Sequence, residues 1–286
     1  MLDRDIAFDI TRKSKTNFLI SFAMLPEAKR EAIHTVYAFC RQTDDIVDEG
    51  CDSASKSVRL LNWTEELEKG LRGESRHPLL NKLSVIAERF HIPVVHFFDL
   101  IHGMTMDLEK SRYQSFEELY EYCWHVASTV GLICSEIFGY TNERTRQYAI
   151  DLGIALQLTN ILRDVKADAE IGRIYIPKED FERFGYSYDE LLEMRYNEAF
   201  VRLMQFEADR ARRYFASARH ALAVEDHAAF FAARIMDGIY SRILDKIERK
   251  RFPLSGERIS ISTISKIRIA LYEYFSSASL RYASSS

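Results

Sequence analysis

Helix breakers are scarce in this chain. Its 286 residues include only 11 glycines and 5 prolines, and the prolines (Pro26, Pro78, Pro93, Pro177 and Pro253) fall at the edges of periodic segments, where a first-turn proline is tolerated. Within the long stretches that remain, apolar residues recur three and four apart, as in Phe116, Leu119, Tyr120, Cys123, Ala127, Val130, Cys134, Ile137 and Phe138. Strand-like alternation is nearly absent, RIYIP (Arg173 to Pro177) being the one short candidate. The spacing predicts helices near 26–48, 54–72, 78–90, 93–110, 115–139, 142–169, 188–222, 228–250 and 262–278. No linker rich in glycine, serine or proline divides them and no solenoid period repeats. The expectation is an all-α fold in a single domain over residues 1–286, with the serine-rich end, 279–286, frayed.

Composition narrows the function classes. With 47% hydrophobic and 29% charged residues the chain has the make-up of a globular protein with a sizeable core. Its formal net charge of -4 gives no electrostatic footprint for nucleic acid. The four cysteines, Cys40, Cys51, Cys123 and Cys134, contain no C-x-x-C pair and lie among helical residues, so reduced core thiols are expected rather than a zinc site or disulfide framework. The N-terminus MLDRDIAFDI is too acidic for a signal peptide, and no apolar run is long enough to span a bilayer. A cytoplasmic protein is predicted, with peripheral membrane contact as its closest approach to lipid.

Charge concentrates at two places. In YAFCRQTDDIVDEG, Asp44 and Asp48 stand four apart, with Arg41 and Tyr37 one turn earlier on the same helix face. In QLTNILRDVKAD, Gln157, Asn160, Asp164 and Asp168 step by three, four and four, while Ile154, Leu158, Ile161, Leu162 and Val165 cover the opposite side. One aspartate pair at this spacing is ordinarily a solvated helix face. Two pairs, each on an otherwise apolar helix and each beside an arginine, point instead to a shared cavity, where like charges are costly unless a cation lies between them. Oxygen ligands without thiolates or paired histidines suit Mg²⁺, which accepts a few carboxylates together with substrate phosphate and water. Arg41, Arg163 and Arg173, the last beside Tyr175, are available for the remaining phosphate oxygens.

These residues carry a family resemblance. Tyr37-Ala38-x-x-Arg41-x-x-Asp44-Asp45-x-x-Asp48 and Gln157-Leu158-x-Asn160-Ile161-Leu162-Arg163-Asp164-x-x-x-Asp168, followed by Arg173-Ile174-Tyr175, resemble the squalene/phytoene synthases. FAMLP (Phe22 to Pro26), YCWHVASTVG (Tyr122 to Gly131) and YSRILD (Tyr240 to Asp245) follow in the same order, so the resemblance spans most of the chain. It implies the isoprenoid synthase fold, a single helical domain around a central cavity whose mouth carries the two aspartate-rich helices and whose remainder holds prenyl tails.

The implied activity is Mg²⁺-dependent head-to-head condensation of two prenyl diphosphates through a cyclopropylcarbinyl diphosphate. Residue by residue, the resemblance makes Asp44, Asp48, Asn160, Asp164 and Asp168 ligands or near neighbours of two or three Mg²⁺ ions. It gives Tyr37, Arg41, Gln157, Arg163, Arg173 and Tyr175 to the diphosphates, with Lys15 and Arg268 as further phosphate contacts. A dry, non-nucleophilic wall for the carbocation is expected from Phe18, Phe22, Phe39, Trp124 and Tyr240, with Tyr240 the favoured one because it matches a motif position.

The chain departs from the family pattern at Lys166-Ala167, where Gly-Glu is usual, at Ser128, where glycine is common, and at Asn17 before Phe18. A head-to-tail elongase is disfavoured because Asp164 is followed by Val165, and a terpene cyclase because Asp164 stands where its serine is needed. A catalytically silent binding or assembly protein is the reading from another class. Within the family, the chain's length and the lack of a dinucleotide fingerprint favour a bacterial carotenoid-type enzyme that forms dehydrosqualene from two farnesyl diphosphates without NADPH. Phytoene formation from two geranylgeranyl diphosphates is the alternative. Product stereochemistry and oligomeric state stay open at this level.

Overall fold

The computed structural model describes residues 21–48 and 52–283, with side chains up to 277. Every regular element among them is helical: α1 (Glu27–Asp48), α2 (Ser53–Leu71), α3 (Pro78–Arg89), α4 (Val95–Glu109), α5 (Phe116–Cys123), a π-helical turn (Trp124–Ser128), α6 (Thr129–Phe138), α7 (Thr145–Glu170), α8 (Lys178–Phe184), α9 (Tyr188–Leu192), α10 (Glu198–Ala221), a short 3-10 turn (Val224–Asp226), α11 (Phe231–Arg249) and α12 (Thr263–Ala283). RIYIP forms no strand; Ile174 makes an isolated parallel bridge to Arg112.

Local chemistry sets most of the boundaries. The Asp52 side chain caps α2 by accepting from the Ser55 amide, Ser115 caps α5 and Asn197 caps α10. Four expectations need correction. The segment 188–222 is not one helix: Ser187 and Glu190 form a capping box that starts α9, Met194 takes φ of 53°, and the chain starts afresh at Asn197. The helix α8 was not predicted, although Pro177 at its start and the left-handed Gly185 at its end bracket it. The segment 115–139 is divided by the π turn, and α12 runs to Ala283, beyond the predicted stop at 278.

The centre of the fold is α7. It packs along α10 and also against α5, α6, the π turn and α11, whereas α1 packs on α2, α3, α4 and α6. Its predicted apolar side, Ile154, Leu158, Ile161, Leu162 and Val165, is buried. Gly153 lets α7 approach the π turn, because a Cβ there would stand 2.8 Å from the backbone of Ala127 and Ser128. The Ser128 hydroxyl donates to the Ile150 carbonyl at 2.8 Å, so the serine that replaces a common glycine fastens the π turn to α7. Buried Asp226 accepts from the Thr141 amide at 2.7 Å and the Thr145 hydroxyl at 2.6 Å, fixing where α7 begins.

Candidate active site

A cavity of about 1,220 Å³ including its open mouth lies among α1, the π turn and α6, α7 and α11. Its polar part is made by Tyr37 and Asp44 of α1, Gln157 and Asn160 of α7 and Tyr240 of α11. Its apolar part includes Phe22, Ile33, Phe138, Tyr148 and Phe230. Periodicity explains the division, since a helix buried on several sides can turn one stripe of amides and carboxylates inward only if that stripe meets polar partners.

Within each of the two helices the acidic groups influence one another electrostatically, and Asp107 acts on both. Burial and then the neighbouring Asp48 push Asp44 up to about 7 from its usual 3.8. Burial and then Asp164 raise Asp168 to about 7 as well. Asp164 behaves differently: burial alone would raise it, but two guanidinium groups hold it below the usual carboxylate range. Arg163 reaches it at 3.0 and 2.5 Å and Arg258 at 2.7 and 2.6 Å. Arg41 pairs with Asp45 at 2.5 Å, and Arg173 lies 4.0 Å from exposed Asp48.

The Asn160 amide nitrogen donates to Gln157 Oε1 at 3.3 Å, yet its buried oxygen Oδ1 has no hydrogen-bond partner among the described residues. Two carboxylates reluctant to ionise, an orphaned amide oxygen and an all-oxygen donor set fit a hard divalent cation. No group of three acidic, histidine or cysteine side chains among the described residues makes a ready cage. The donors are spread over two helices, which suits ions held jointly with substrate phosphate.

Sequence reasoning missed two participants. Asp107 of α4 accepts hydrogen bonds from Tyr175 at 2.8 Å and Tyr122 at 3.0 Å, and its charge acts on Asp44, Asp168 and Arg173. The signal was present, because Asp107 continues the buried stripe of Leu100, Gly103 and Met104 at helical spacing. Arg258 sits in a loop without periodicity, and nothing in its neighbourhood announces it.

Several expected positions lie elsewhere. Phe39 is wedged between Trp63 and Phe97, and Trp124 meets His125 edge to face; neither lines the cavity. Arg268 is exposed on α12, outside the cavity lining. Tyr175 spends its hydroxyl on Asp107. Lys166 pairs with Glu170 at 3.6 Å and Ala167 is exposed, so this departure from the pattern adds no cation to the cavity lining. Lys15, Asn17, Phe18 and Cys51 lie outside the described residues. Cys40, Cys123 and Cys134 are free thiols.

Known proteins resemble this chain in sequence and in fold. The family model described as squalene/phytoene synthase matches residues 11–265. The chain is 36% identical to a 15-cis-phytoene synthase of Synechococcus elongatus over 90% of this chain and 88% of that one. It is 35% identical to a chloroplastic phytoene synthase of Arabidopsis thaliana, covering 89% of this chain and 61% of that one. A crystal structure of a dehydrosqualene synthase in complex with ligand superposes with a TM-score of 0.84 at 29% identity over 96% of this chain and 95% of that one. A squalene synthase from Alicyclobacillus acidocaldarius gives 0.79 at 28% identity over 87% and 94%. Members of the family are generally dependent on a divalent metal. Matched along most of its length by the family model and by relatives above 30% identity, the chain belongs to the squalene/phytoene synthase family of prenyltransferases.

Proposed function

We propose that the protein joins two farnesyl diphosphates head to head through a cyclopropylcarbinyl diphosphate to give dehydrosqualene, the entry to a C30 carotenoid, without NADPH. The observation that carries this reading is the continuity of one cavity from a carboxylate and amide mouth to an aromatic interior. Bound Mg²⁺ would neutralise the departing diphosphate, and Asp44, Asp48, Asn160, Asp164 and Asp168 would hold it. Arg163 and Arg258, both engaged on Asp164, are positioned to share their remaining N–H groups with diphosphate oxygens. Tyr37, Gln157 and Tyr240 orient the substrates at the polar end of the cavity, and the apolar walls keep water from the allylic cation. In the first half-reaction one C1–O bond breaks and the second substrate's double bond supplies the electrons, with loss of a proton closing the cyclopropane. In the second half-reaction diphosphate departs again, and proton loss from the rearranged cation leaves the central double bond of the triene.

Phe22, buried against His34 and lining the cavity, supports the C15 tail as the length that fits. The phytoene synthases at 34 to 36% identity favour a second reading, condensation of two geranylgeranyl diphosphates. Incubation with Mg²⁺ and each diphosphate, with and without NADPH, followed by mass and ultraviolet identification of the hydrocarbon, separates the two. A C30 triene indifferent to NADPH supports the proposal; a C40 triene replaces the substrate; squalene would show hydride capture; no hydrocarbon under any condition returns the silent binding protein.

No described helix is long and apolar enough to cross a membrane. A peripheral bilayer contact that receives the product is part of the same proposal. The outer face of α12 supports it, exposing Ile264, Ile267, Leu271, Tyr272 and Phe275.

A further inference from the structure

Tyr148 stands between two cavities of opposite character. Its ring lines the apolar end of the prenyl cavity and meets Phe230 edge to face, with centroids 5.8 Å apart at 75°. It also lines a second cavity, about 650 Å³ including its opening, bounded by Arg219, His227, Arg234, Asp237 and Glu273. No other described residue is common to the two linings. The second cavity is walled by charge: Arg219 grips Asp237 through both carboxylate oxygens, and Arg234 lies 2.7 Å from Glu273. Tyr148 is only 1% exposed and its hydroxyl makes no hydrogen bond among the described residues. That hydroxyl is close enough to Asp237, Arg234, Glu273 and Arg219 to be influenced by each. The residue thus turns an apolar body to the hydrocarbon side and a polar tip to the charged side.

We infer that Tyr148 is the partition that ends the prenyl cavity and selects tail length, the charged chamber behind it making that end sharp. This inference rests on the head-to-head prenyl reading. Two physical points carry it. First, Tyr148 and Asn160 belong to the same helix, α7, twelve residues apart, or about 18 Å along its axis. The diphosphate end and the tail end of the cavity are therefore fixed relative to each other by one rigid element. Second, a longer tail has to displace a buried ring and then lie against ion pairs whose hydration it would strip without offering hydrogen bonds in return. Shortening the side chain removes the first obstacle and joins the two volumes.

The test compares wild type with Tyr148→Ala, Tyr148→Leu and Tyr148→Phe as full-length proteins, folding being verified by circular dichroism. Unreactive farnesyl and geranylgeranyl thiolodiphosphates are titrated calorimetrically in the presence of Mg²⁺. Tyr148→Ala is expected to shift the affinity ratio at least tenfold toward the longer analogue, and Tyr148→Phe to keep the wild-type ratio within twofold. Should the alanine variant fail to fold, Tyr148→Leu is expected to shift the ratio in the same direction by a smaller factor. A second readout needs no diphosphate: unbranched alcohols of graded length raise Tm until the chain outgrows the cavity, and that cutoff should move to longer alcohols in Tyr148→Ala or Tyr148→Leu. An unchanged ratio and an unchanged cutoff overturn the partition. A cutoff that moves while neither analogue binds wild type supports the partition and sinks the prenyl diphosphate reading.

Discussion

Asn160 presents a buried amide oxygen, without a partner among the described residues, to a cavity that it shares with Asp44, and such an oxygen has a cost unless something binds it. Asp44 has the same problem in charged form, since burial and Asp48 together resist its ionisation. Replacing either acidic anchor by its amide therefore removes charge without removing packing. Asp44→Asn and Asp164→Asn are each expected to lower turnover by on the order of 10²- to 10³-fold while circular dichroism shows an intact helical fold. Unchanged turnover in either variant would take that aspartate out of the mechanism. These residues are legible in sequence because a spacing of four puts them on one face of a helix whose other residues are apolar. Asp107 is legible in principle by the same rule, but a single acid lacks the repetition that separates a site from a solvated face. Arg258 is placed by the tertiary path of an irregular loop, which no local pattern encodes.

Among the elements, α7 and the π turn are the pair whose contact shapes the cavity. The close approach at Gly153 is to backbone, which cannot swing aside as a flexible side chain would. Gly153→Ala should cost about 1–3 kcal/mol, read as a fall in Tm of several degrees, and a variant as stable as wild type would show that the π turn yields. The helices that position the site are readable from period and caps. The break between α9 and α10 is harder to read, because an apolar period continues across it and only the capping chemistry at Ser187 and Asn197 marks the restarts. On α10, Glu207 shares the Arg210 guanidinium with Asp180 of α8, all three buried. Burial raises Glu207 to about 8 from its usual 4.5, even with Arg210 pulling the other way. The folded chain then keeps a proton that the unfolded chain releases, so stability should decline as pH rises from about 4.5 towards 8. In Glu207→Gln that part of the slope should be lost, which urea denaturation across this range would reveal. An identical slope in the variant would mean that Glu207 is ionised throughout.

At the scale of the molecule, the cavity wall α11 is covered on its outer side by α12, and α12 is apolar on two sides at once. Ile269 and Ala270 face inward, whereas Ile264, Ile267, Leu271, Tyr272 and Phe275 are exposed. A helix apolar on two sides needs cover on both, and charge favours lipid as the second cover. Lys266 and Arg268 are on this helix, while its one described acidic residue, Glu273, is engaged inward with Arg234. Anionic headgroups complement that distribution despite the net charge of -4 for the whole chain, since the attraction is local and falls off within a Debye length. An escaping hydrocarbon product would then have only α11 and α12 between its cavity and the bilayer. The full-length protein is expected to co-sediment with vesicles containing phosphatidylglycerol more strongly than with pure phosphatidylcholine, and less so at high salt. Tyr272→Ser combined with Phe275→Ser should weaken that partitioning at least tenfold without lowering Tm, because both side chains are exposed. Equal partitioning of variant and wild type would remove α12 as the contact. If light scattering instead shows a wild-type dimer that the double variant dissolves, the face belongs to a second copy of the chain and the lipid contact is refuted.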